Sequence, residues 1–82
     1  MKNYTIEVTS KTGLYDYEVL FRYKTRLETD RVISIGADIN SKDINVSATG
    51  TFTADDDVLM EGFLKAIKLA RDLAIGNVQL ID

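Results

Sequence analysis

The segment Arg22-Tyr23-Lys24-Thr25-Arg26-Leu27-Glu28-Thr29-Asp30-Arg31 gathers four cations and two carboxylates around a tyrosine. A hairpin arm of this composition can hold phosphates through Arg22, Lys24, Arg26 and Arg31 and stack a base on the ring, the chemistry of single-strand nucleic-acid binding. Its plain alternative is a solvated hairpin whose charges neutralise one another. Asp55-Asp56-Asp57 offers oxygen ligands of the kind a hard divalent cation takes. The run lacks the alternating ligand positions and closing glutamate of an EF-hand, and carboxylates at a helix start serve as caps, so no metal is assigned. Asp16 and Glu18, two apart on one strand face, can do acid–base work only inside a pocket. The chain has no histidine and no cysteine, which removes the usual general base, thiolate nucleophiles, disulfides and Cys-type zinc sites. No glycine-rich phosphate loop, nucleophile elbow or Ser–Lys spacing occurs. The chain therefore reads as non-enzymatic and without a cofactor.

The elements that carry these residues follow from periodicity. Tyr4, Ile6 and Val8 alternate with Thr5, Glu7 and Thr9, which predicts a first strand over 3–10. Tyr15, Tyr17, Val19, Phe21 and Tyr23 alternate with Asp16, Glu18, Leu20, Arg22 and Lys24 in a long second strand. Ile33, Ile35, Ala37 and Ile39 share one face of a third. Ile44, Val46, Ala48, Gly50 and Phe52 alternate with Asn45, Ser47, Thr49, Thr51 and Thr53 in a fourth. From Val58 the period becomes helical, with Leu59, Phe63, Ala66, Ile67, Ala70, Leu73 and Ala74 on one side and Glu61, Lys65, Lys68 and Asp72 opposite. Thr53 or Asp55 is expected to cap this helix, and Gly76-Asn77 to stop it. Val78 to Asp82 alternates weakly and can lie against a sheet edge. The prediction is a single α+β domain over 1–82: a four-stranded antiparallel meander, order 1-2-3-4, with one C-terminal helix on its apolar face (ββββα).

Face parity proposes the register. Ile39 opposite Ile44, Ala37 opposite Val46 and Ile35 opposite Ala48 leave a four-residue loop at 40–43. Val19 opposite Ala37, Phe21 opposite Ile35 and Tyr23 opposite Ile33 centre the preceding loop on Glu28. Pairing Ile6 with Val19 and Val8 with Tyr17 requires an even first loop, unless a bulge resets it.

Side-chain size then places the helix. Ala37, Ala48 and Gly50 on strands three and four let a helix approach closely, so the helix is expected over that half of the sheet. A twelve-residue second strand of ~40 Å would outrun a helix of ~30 Å. Part of the aromatic surface should then overhang. Tyr15, Tyr17, Phe21 and Tyr23, with Tyr4 beside them, are accordingly predicted as a self-association surface, with a core role as the alternative. The polar outer face, rich in Thr, Ser and Asn, offers a second flat patch for a protein partner.

The 82 residues hold ten Lys and Arg against thirteen Asp and Glu, a net charge of −3 that argues against general nucleic-acid binding. The first 42 residues carry seven cations and six anions; the remaining 40 carry three and seven. No apolar run reaches the ~20 residues of a membrane span, and the start lacks the apolar core of a secretory signal, so no membrane partner and a cytoplasmic location are expected.

The ββββα order is similar to that of the whirly-type and transcriptional-coactivator-type single-strand DNA binders, in which a helix after the sheet helps dimerise. The similarity lies in element order alone. The basic sheet surface of those proteins has no counterpart in these residues, and order does not transfer function. Small cysteine-free chains without catalytic equipment are also encoded by phages and mobile elements as accessory or inhibitory proteins. The expected function is a homodimeric protein-interaction module, with nucleic acid as the alternative ligand.

Overall fold

In the computed structural model, residues 4–10, 13–25, 28–48, 52 and 55–78 are described. The chain forms β1 (Tyr4–Ser10), β2 (Tyr17–Lys24), β3 (Asp30–Asp38), β4 (Asp43–Ala48) and α1 (Asp57–Ala74). The strands make one open antiparallel sheet in the order β1-β2-β3-β4, with α1 across one face. Architecture and strand order are those the periodicity predicts. The residues at 49–51, 53 and 79–82, and with them Thr53 as a cap, the end of the predicted fourth strand and most of the weakly alternating tail, lie outside the described residues.

Face parity holds throughout, but every register is displaced by two residues from the predicted one. Ile6 faces Phe21 and Val8 faces Val19; Phe21 faces Ile33 and Val19 faces Ile35; Ala37 faces Ile44 and Ile35 faces Val46. A two-residue slip leaves each side chain on its face, so alternation cannot detect it. Turn chemistry decides instead. Asp38 Oδ1 accepts from the N–H groups of Asn40 and Ser41 at 3.0 and 3.3 Å, closing an Asx turn that starts the loop one residue earlier, at Ile39. Lys42 ends that loop with φ at 59°. In the β2–β3 hairpin, Glu28 N–H donates to the Thr25 carbonyl at 2.9 Å and Thr25 N–H to Thr29 at 3.0 Å. Glu28 also has φ at 59°, the left-handed position of a bulged hairpin turn. Ile39, predicted on the core face, is a turn residue and 44% exposed.

The helix begins on Asp56, whose Oδ1 accepts from Leu59 N–H at 3.0 Å, one residue after the predicted Asp55. The predicted stop is in place. Gly76 has φ at 81°, and Gly76 N–H and Asn77 N–H donate to the Leu73 and Asp72 carbonyls at 3.4 and 2.8 Å, the paired bonds of a Schellman motif.

The core joins Val19, Phe21, Tyr23, Ile33, Ile35 and Ala37 of β2 and β3 to Leu59, Ala66, Ala70, Leu73 and Ala74 of α1. The helix is seated over β2 and β3 and reaches β1, where the Tyr4 ring lies under Gly62. The predicted seat over strands three and four is therefore corrected. The small residues that permit close approach belong to the helix itself: Gly62, Ala66, Ala70 and Ala74, four apart along one ridge and all buried. A shallow helix ridge fits the large side chains of β2 and its neighbours, and the Phe21 ring is surrounded by Tyr4 at 5.3 Å, Tyr23 at 5.5 Å, Phe63 at 5.9 Å and Phe52 at 6.5 Å between centroids. β2 has eight residues rather than twelve, about 27 Å, and the 18-residue helix is equally long. The strand therefore does not outrun the helix as predicted.

Candidate functional surface

The side chains with chemical potential are dispersed rather than gathered. Arg22 and Lys24 project from the sheet face opposite α1, by alternation with the buried Phe21 and Tyr23. Each has a carboxylate beside it: Arg22 Nε lies 3.4 Å from Glu7 on β1, and Lys24 Nζ 4.0 Å from Asp30 on β3. Arg31 has the parity of Ile33, and so the opposite face. Arg26 lies outside the described residues. No common phosphate-binding face unites Arg22, Lys24 and Arg31.

The carboxylates have structural work. Asp56 caps α1 and Asp57 occupies its first turn, where the helix dipole favours negative charge. Asp16 Oδ2 accepts from Ile39 N–H at 2.9 Å, tying the β1–β2 loop to the β3–β4 turn, a role that alternation could not disclose. Glu18 stands opposite Gly36 on the outer face and forms no enclosed pair with Asp16. A shallow open hollow lies beside this tie, lined by Gly13, Leu14, Tyr15, Asp16, Asp38 and Asn40. Among the described residues no group of three or more potential ligands converges as a metal would require, and no helix is long and apolar enough to cross a membrane.

The predicted aromatic surface divides three ways. Phe21 and Tyr23 are sealed inside a single chain, at 0% and 4% exposure, so they have no side-chain surface to present to a partner; the helix ridge covers them. Tyr4 and Tyr17 are half-buried against the same core. Tyr15 leaves the core face altogether. A Cβ on Gly36 would fall 2.4–2.6 Å from its ring carbons, and Gly36 faces away from the helix by alternation with Ile35 and Ala37. Tyr15 thus covers a buried glycine of the outer face, and the chain turns back into β2 only at Tyr17.

An uncovered apolar strip does exist, at the other side of the sheet from the one expected. On the helix-facing side of β4, Ile44 is half-buried, Val46 is 51% exposed and Ala48 is exposed, whereas their partners Ala37, Ile35 and Ile33 are sealed. A helix about 10 Å wide spans two strands of a sheet spaced ~4.8 Å apart. Centred over β2 and β3, α1 touches both outer strands but leaves Val46 and Ala48 of β4 uncovered. The flank of α1 turned away from β1 is the one opposite Gly62, beyond Phe63, whose ring packs 5.2 Å from Phe52 and 5.9 Å from Phe21. One residue further round lie Leu64, 57% exposed, and the half-buried Met60 and Ile67. Among the described residues β4 has one strand neighbour, so the strip also borders a strand edge. Sequence reasoning missed it because Ile44, Val46 and Ala48 carry the alternation of a covered strand. No protein-family model, curated protein or solved structure matches the chain.

Proposed function

We propose that the protein is a small non-catalytic interaction module that recognises a protein partner through the β4 edge and the adjoining flank of α1. The observation that carries this reading is the exposure of Val46 on the helix-facing side of β4, with Leu64 exposed on α1, next to a sealed core of β2, β3 and α1. Exposed apolar side chains beside a free strand edge suit a partner that adds a strand and lays apolar side chains into the strip. The nucleic-acid alternative is weakened by the carboxylates beside Arg22 and Lys24. A photoreactive residue introduced at position 46 or 64 in the native host is expected to crosslink a protein, whereas the same residue at position 5 or 9 on β1 is not. Equal crosslinking from both edges, or none from 46 and 64, would remove the assignment.

A further inference from the structure

Resting on that reading, we infer that the occupant of the β4 edge is a second copy of this chain, paired antiparallel about Val46. The two edges of the sheet differ in how they are defended. Edge strands usually resist pairing through lysines, prolines, bulges or charges in mid-strand. β1 carries Glu7 at its centre, engaged by Arg22 at 3.4 Å. β4 reads Asp43-Ile44-Asn45-Val46-Ser47-Ala48, with no charge or proline from 44 to 48 and Asp43 at its first position, next to the turn.

The strand is complementary to itself. With Val46 on a two-fold axis perpendicular to the sheet, Ile44 faces the partner's Ala48 and Val46 faces the partner's Val46 on the helix side. Asn45 faces the partner's Ser47 on the outer side. Every row is apolar on apolar or neutral polar on neutral polar, and the larger side chain meets the smaller at both ends of the ladder. The two Asp43 carboxylates are carried to opposite ends, roughly 20 Å apart at ~3.4 Å per residue, where salt screens them. A foreign strand with a charge at the central position would bury it over Val46. The symmetry keeps both helices on one side and continues the sheet to eight strands, an isologous contact that pairs the β4 edges and leaves the charge-defended β1 strands at the two rims. A contact only one short strand long falls below the ~1,200 Å² of a stable interface, so the dimer is a weak one that forms toward high micromolar concentration.

Sedimentation velocity of the full chain from about 10 μM to about 1 mM tests this, a range chosen from the interface size. The wild-type mass is expected to rise from 9.2 kDa toward twice that value. Val46→Lys should remain monomeric throughout, and Thr9→Lys, on the exposed face of β1, should follow wild type. Asn45→Asp leaves the apolar strip untouched but brings two like charges near the axis; it should weaken association several-fold, with recovery in high salt, which a merely misfolded chain would not show. A wild-type chain that is monomeric at 1 mM, or a dimer broken by Thr9→Lys and not by Val46→Lys, overturns self-pairing. If position 46 still crosslinks a different protein in that case, recognition through the strip stands without the second copy; if it crosslinks nothing, both readings fall.

Discussion

The Tyr4 ring lies so close beneath Gly62 that a Cβ at that position would sit 2.6 Å from Cζ. This contact sets how closely α1 approaches β1. Alanine ordinarily stabilises a helix interior by ~1 kcal/mol over glycine. Here Gly62→Ala is expected to destabilise, by about 1 kcal/mol or more, because the ring must move. In a Tyr4→Ala background the same substitution should become stabilising. Urea midpoints for the four chains of this cycle measure the sign change, and additive effects would refute the contact.

Tyr23 is a core residue, so Tyr23→Ser should cost about 3 kcal/mol, as truncation of a buried aromatic does. The loss is expected in the folding midpoint, at any protein concentration. A variant of wild-type stability with altered mass would return this ring to an interface.

Covering Gly36 gives Tyr15 an energetic role that its neighbour lacks. Tyr15→Ala should cost about 1 kcal/mol, in the range of cross-strand aromatic contacts. Leu14→Ala, at a side chain 85% exposed, should change stability by no more than ~0.5 kcal/mol. Thermal melts of the two single variants separate them.

Lys42 holds a left-handed backbone with φ at 59°, a conformation that glycine adopts without steric cost. Lys42→Gly should raise stability by up to ~1 kcal/mol, read as a higher melting temperature. A lowered one would mean that the lysine side chain contributes more than its backbone costs.

Glu7 screens Arg22. Glu7→Gln should therefore strengthen binding to labelled single-stranded DNA several-fold at low salt, from a weak baseline that added salt abolishes. Anisotropy titrations that detect tight, salt-insensitive binding by the wild type would instead support a dedicated nucleic-acid site.

Alternation of Tyr4, Ile6 and Val8, of Val19, Phe21 and Tyr23, and of Ile33, Ile35 and Ala37 was enough to place strands, faces and order, because burial on one side imposes a period of two. The helix was equally plain in Leu59, Ala66, Ala70 and Leu73. Register was not legible, since a slip of two preserves every face and the arbiters were single residues in turns, Asp38 among them, and Glu28 and Lys42 where glycine would be the usual signal. The seat of the helix differs from the predicted one for a related reason. Ala37 and Ala48 suggest close approach over strands three and four, whereas the small residues that permit it form the ridge Gly62, Ala66, Ala70, Ala74 on the helix, at a spacing of four. Tyr15 keeps the parity of Tyr17, and only the bend of the loop before β2 sends it to the other face.

The nearest-neighbour order of the sheet also has a kinetic meaning. Each strand pairing joins segments adjacent in the chain, so the three hairpins close over short loops. Seating Gly62 on Tyr4 requires bringing together nearly opposite ends of the molecule, and the entropy of that closure delays it. The seam between α1 and β1 should accordingly be the last to set during folding and the first to loosen in the native protein, with amide exchange in β1 outrunning that in β2 and β3.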